Sequence, residues 1–114
     1  NNMPLTVKWN QDFNAGQTWI TDFTLLNPNG TPRSVIGNTF QSSLKRHYKS
    51  VNATTILVEV LDAPTGNIKL SLTDAQTTAL IGGKYLYDVE MTDTEGIKER
   101  IIQGVITVRP EVTK

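Results

Sequence analysis

Asp88 and Glu90, two residues apart on an extended stretch, are the first candidates for chemistry in this chain. Side chains two apart on a strand share a face, so the pair has the spacing used in general acid–base work or glycoside hydrolysis. The same spacing occurs on any solvated strand face, where Lys98 or Arg100 of a partner strand would neutralise it, and cross-strand pairing is the expectation adopted. His47 is the single histidine and follows Lys45 and Arg46 at a strand end. With no cysteine beside it, a zinc site would have to be mostly carboxylate, which is an unusual donor set. Asp93 and Glu95 at a turn offer two carboxylates, against the roughly six to eight oxygens that calcium takes. No catalytic, metal or cofactor-binding residue is assigned, and no cofactor is expected.

Trp19, Tyr85 and Tyr87 are the candidates for recognition. Exposed together, three large rings would form a platform on which a sugar or nucleobase could stack. Placed on the apolar phase of strands, they are core residues by default. The chain contains no glycine-rich phosphate loop, HExxH run or GxSxG elbow. Asn29-Gly30-Thr31 and Asn52-Ala53-Thr54 match the glycosylation acceptor pattern with no secretion signal behind them.

The elements that position these residues are strands. Tyr85, Tyr87, Val89 and Met91 alternate with Leu86, Asp88 and Glu90, Asp93-Thr94-Glu95-Gly96 supplies a turn, and a second extended run leads from Ile97 to Arg109. This hairpin organises the chain, and because one hairpin cannot cover its own apolar face, other strands must do so. Leu5 to Trp9 reads as a first strand, interrupted at Asn10-Gln11-Asp12. Thr18 to Leu26, with Trp19, Thr21, Phe23 and Leu25 on one face, reads as a second, and Phe40 to Leu44 as a third, with residues 49–53 a loop after it. Thr54 to Leu61 is rich in β-branched residues and is expected as one strand, covered on both faces apart from Glu59. Ile68, Leu70 and Leu72 form the next alternating face. Asp74 is placed to cap a helical turn over residues 75–80 that plugs one end of the sheets. Gly104, inside an apolar strand, predicts a bulge or a crossing backbone too close for a Cβ. About seven strands with one helical turn predict an all-β sandwich.

With 114 residues and 38% hydrophobic residues, the chain suffices for one core, so residues 1–114 are read as a single domain. Eleven basic and eleven acidic residues cancel, which leaves no electrostatic case for nucleic acid or an anionic membrane as a partner. No apolar run approaches the roughly 20 residues that span a bilayer, and the opening NNMPLTVKW lacks a secretion-signal pattern. The final strand carries a further expectation. Ile97, Ile101 and Val105 share the phase opposite Ile102, Ile106 and Val108, so with the latter in the core the former would form an apolar stripe. Either residues 27–37 fold over that stripe, or a second chain covers it in a homo-oligomer.

The stretches GGKYLYDVE from Gly82, Gly96 after the turn, RIIQGVITV from Arg100, and Val112 with Thr113 resemble the closing half of small immunoglobulin-like domains of tailed-phage structural proteins. This family includes the N-terminal domain of baseplate upper proteins and related phage or prophage proteins. LTDAQTTAL from Leu72 resembles the family's helical turn, and GQTW from Gly16 with NGTP from Asn29 resembles its opening half; residues 33–37 meet the pattern only loosely. The resemblance implies an immunoglobulin-like β-sandwich without catalytic residues. It also implies a structural or assembly module of a baseplate or tail, in the virion or in the host cytoplasm during assembly, whose partners are other phage structural proteins. The alternative is a carbohydrate-binding β-sandwich in host adhesion, resting on Trp19, Tyr85 and Tyr87.

Overall fold

Ile68, Leu70 and Leu72 point the same way along one strand, and each is at most 1% exposed. Full burial of such a side chain contributes about 1.5 to 3 kcal/mol, so this face fixes the centre of the core. The computed structural model describes residues 6–47 and 53–110; Leu5, residues 49–52, Val112 and Thr113 lie outside them. Its strands are β1 (Val7–Lys8), β2 (Gln11–Asn14), β3 (Trp19–Thr24), β4 (Thr39–Lys45), β5 (Thr54–Thr55), β6 (Leu57–Asp62), β7 (Asn67–Leu72), β8 (Gly83–Thr92) and β9 (Lys98–Arg109). A 3-10 turn covers Ala63–Thr65 and the helix α1 covers Asp74–Thr78.

These strands form two facing sheets, an all-β sandwich. The larger runs β1-β9-β8-β4-β5, with β2 also on β9, and the smaller runs β3-β7-β6. The β8–β9 hairpin forms as expected, from Thr92 opposite Lys98 to Gly83 opposite Val108. Its turn is closed by Asp93, whose Oδ1 accepts from the amides of Glu95 and Ile97 at 2.8 and 2.9 Å. Along one flank, β1 and β2 lie parallel to β9. There Trp9 packs against Phe23, with ring centroids 4.9 Å apart, and Phe13 against Trp19 at 5.4 Å, joining the two sheets.

Three features depart from the sequence reading. Gln11–Asn14 forms a strand where an interruption was expected, because Asn10 lends its side-chain carbonyl to the amide of Val105 and lets the chain resume beside β9. The run from Thr54 to Leu61 is two strands in different sheets. Ile56, 2% exposed, lies at the switch, with its amide donating to the carbonyl of Ser42 at 3.0 Å. Beyond it β6 is an edge strand with most of its side chains exposed, so the expected cover on both faces is absent. Finally, Thr73 rather than Asp74 caps α1: its hydroxyl accepts from the amide of Gln76, whose side chain accepts in return from the Thr73 amide. The short helix does plug one end, since the Thr77 hydroxyl donates to the carbonyl of Gln17 at 2.9 Å and accepts from the amide of Gly16 at 3.1 Å.

Candidate protein-contact surface

The residues singled out in the sequence are not gathered at one place. Trp19, Tyr85 and Tyr87 are 6%, 7% and 3% exposed, so they belong to the core and form no outward platform. The Tyr85 hydroxyl donates to the carbonyl of Ile81 at 2.7 Å, and that of Tyr87 donates to the carbonyl of Trp9. Burial pushes the Tyr87 phenol above its ordinary range. Asp88 pairs across the hairpin with Arg100 at 3.3 Å, which is the structural role expected of it. His47 is exposed just past the end of β4.

The apolar stripe also dissolves. Val89 lies opposite Ile102 while Glu90 lies opposite Arg100, so Ile101 is an extra residue on β9. A bulge of this kind lets two successive side chains turn the same way. Ile101 and Ile102 are both in the core, at 1% and 0% exposure. Val105 is half-buried on the outer face, and Ile97 stands exposed by the hairpin tip. Residues 27–37 therefore do not cover a stripe, since Ile97, Ile101 and Val105 do not share one.

What that loop does is build a surface at the end of the sandwich away from α1. Its own turn is tight: the amide of Asn27 donates to the carbonyl of Thr31 at 2.7 Å, and Asn29 Oδ1 accepts from the amide and hydroxyl of Thr31. Two backbone bonds hold the loop to the 3-10 turn, Leu25 N–H to the Gly66 carbonyl at 2.9 Å and Val35 N–H to the Ala63 carbonyl at 2.8 Å. Gly66 adopts φ +73°, and a Cβ there would stand 2.2 Å from the Arg33 carbonyl oxygen, so the approach requires glycine. On the other side, the Arg33 guanidinium donates two bonds to the Glu99 carboxylate, at 2.8 and 3.0 Å. That hydrogen bond, more than the nearby charges of Glu99 and Asp93, raises the pKa of Arg33 against the opposing effect of burial.

Three connections are thereby tied into one surface: residues 25–38, the 3-10 turn, and the β8–β9 hairpin tip. Around it stand Leu26, Ile36, Leu61 and Ile97, at 48%, 64%, 50% and 59% exposure. The surface continues along β6, where Leu57 and Val60 are also exposed on an edge that no strand pairs among the described residues. It combines exposed apolar side chains on a backbone-bonded scaffold with a strand edge that is unpaired among the described residues, features that suit a surface to protein contact. The sequence carried a signal for it in the apolar residues set among turn formers, Leu26 before Asn-Pro and Ile36 before Gly.

No family model matches the chain, and no curated protein matches it. Among solved structures, the N-terminal domain of phage TP901-1 ORF48 is similar over 93% of this chain and 98% of that one, with a TM-score of 0.57 and 13% identity. The Listeria monocytogenes internalin-like protein lmo2027 aligns with 93% of this chain and 28% of its own length, at a TM-score of 0.45 and 18% identity. The first of these shows a shared sandwich fold.

Proposed function

We propose that the chain is a non-enzymatic structural or assembly module of a tailed phage or prophage, placed in a baseplate or tail, that docks onto neighbouring structural proteins. The observation that carries this is the end surface: Leu26 and Ile36 on the loop, Ile97 by the hairpin tip and Leu61 near the end of β6 are exposed around connections braced by backbone bonds and by the Arg33–Glu99 pair. Apolar side chains displayed on a braced scaffold suit binding, because little conformational freedom is lost when a partner covers them. The fold shared with a phage domain over nearly the whole of both chains supports the setting.

Docking through this surface and the β6 edge would bury roughly 800 Å² per partner in an interface of ordinary size. A charge at its centre would be desolvated without a partner, so Ile97→Asp is expected to weaken association by about tenfold or more. Mass spectrometry of purified particles from the phage that encodes the chain tests the setting: the protein is expected in particles or in a tail or baseplate subassembly. Its absence from every such preparation would overturn the reading.

A further inference from the structure

The outer face of the larger sheet carries a second, chemically different site. Thr55, Ser43, Asp88 and Gln103 lie in register across β5, β4, β8 and β9, and Gln41, Glu90 and Arg100 form the next row. At about 4.8 Å per strand and about 7 Å per pair of residues, the two rows cover about 14 by 7 Å, the footprint of one or two pyranose rings. Two shallow depressions adjoin here and share Ser43 and Asp88 in their walls; Leu86 lines one of them.

Part of this polar set is committed and part is not. Arg100 is held by Asp88 at 3.3 Å and donates to Gln103 at 3.4 Å. The side chains of Gln41, Ser43, Thr55 and Glu90 have no hydrogen-bond or ion-pair partner among the described residues. The uncommitted groups are a carboxylate that only accepts, an amide that donates and accepts, and two hydroxyls that do both. Asp88 and Glu90 against Arg100 and Lys45 leave the site without net charge, which disfavours a phosphate. No three His, Cys, Asp or Glu side chains gather for a metal among the described residues.

We infer that this face binds a neutral sugar, with adjacent ring hydroxyls donating to the Glu90 carboxylate and bonding to Gln41, Ser43 and Thr55, while a C–H face rests near Leu86. The site differs from the aromatic platform that the sequence offered only as an alternative to core packing, since Trp19, Tyr85 and Tyr87 are buried. It is open and, among the described residues, no exposed Trp, Tyr or Phe lines it, so an affinity of roughly millimolar is expected. The site lies on the sheet opposite β6, and its occupancy is read without any phage component.

The test is a titration of the isotope-labelled full chain with glucose, galactose, N-acetylglucosamine and their disaccharides, followed by backbone amide shifts. At least one sugar is expected to give saturable shifts confined to the amides of Gln41, Ser43, Thr55, Asp88 and Glu90. Glu90→Gln, which keeps the side-chain size on an exposed strand face, is expected to weaken that binding about tenfold with an unchanged far-ultraviolet spectrum. Should Glu90→Gln misfold, Gln41→Ala is expected to give the same loss. No saturable shift with any of these sugars would overturn the inference. So would shifts centred elsewhere, wild-type affinity in the folded variant, or the same shifts produced by calcium chloride alone.

Discussion

Gly104 sits beneath the backbone carbonyl of Trp9: a Cβ at residue 104 would stand 2.3 Å from that oxygen and 2.8 Å from its carbon. Around this crossing the Trp9 amide donates to the carbonyl of Gln103 at 2.9 Å, and Asn10 accepts from the amide of Val105 at 3.0 Å. A side chain would push the chain off β9 where β1 passes into β2. Gly104→Val is expected to cost about 1 to 3 kcal/mol in urea unfolding. A wild-type midpoint would show that the crossing relaxes freely.

The carbonyl that a Gly104 side chain would displace is also the acceptor of the Tyr87 hydroxyl, and Tyr87 is the cross-strand partner of Gly104. Burial raises the Tyr87 pKa above the ordinary value of about 10. The folded state therefore keeps its proton to higher pH than the unfolded chain does. The resulting stability is complete below about pH 10 and is lost as pH rises through the raised folded value. Tyr87→Phe is expected to be less stable at neutral pH by about 1 kcal/mol, from the lost hydrogen bond. It should also fall less steeply with pH above about pH 10. Equal alkaline slopes for both proteins would contradict this assignment.

Thr77 is 0% exposed, and its hydroxyl joins α1 to the turn between β2 and β3. Thr77→Val keeps the shape but leaves the carbonyl of Gln17 and the amide of Gly16 without that partner, at an expected cost of about 1 to 3 kcal/mol. Thr78→Val, on the exposed side of the same helix, is expected to change stability by less than about 0.5 kcal/mol. Chemical unfolding of the two variants side by side checks the difference.

The Arg33–Glu99 pair, with side chains 30% and 15% exposed, braces the loop at residues 25–38 against β9. Glu99→Gln is expected to cost about 1 kcal/mol, between the values for surface and buried pairs. Its stronger signature is local. Amide exchange of Val35 and neighbouring loop positions should quicken while that of Ile68 and Leu70 stays slow. Exchange that rises uniformly would mean that the pair supports the whole fold and not this loop.

Much of the frame was legible from periodicity. Ile68, Leu70 and Leu72 and the β8 set of Tyr85, Tyr87, Val89 and Met91 follow strict alternation, and both sets are buried as it requires. Three features were hidden because they break that period. The extra residue at Ile101 reverses the phase of β9, so alternation from one end of the strand assigns the wrong face to the other. Ile56 lies between β5 and β6, which belong to different sheets, and nothing in a continuous β-branched run marks a change of partner. At Trp9 and Asn10 the side-chain bond from Asn10 permits two parallel strands where local pattern shows a gap, although Gly104 did announce the crossing from the other side. The end surface depends on contacts between residues 25–38, 63–66 and 93–99, and pairings across such distances leave no local trace.

The most direct measurement for the contact surface is site-specific photo-cross-linking in assembling particles. A photoreactive residue replaces Ile36 or Ile97 on the proposed docking end, or Ile81, which is 72% exposed at the opposite end. Capture of the same particle protein from positions 36 and 97, and not from 81, is the expected result. Capture from 81 alone, or equally from all three positions, would contradict docking through the surface braced by Arg33 and Glu99.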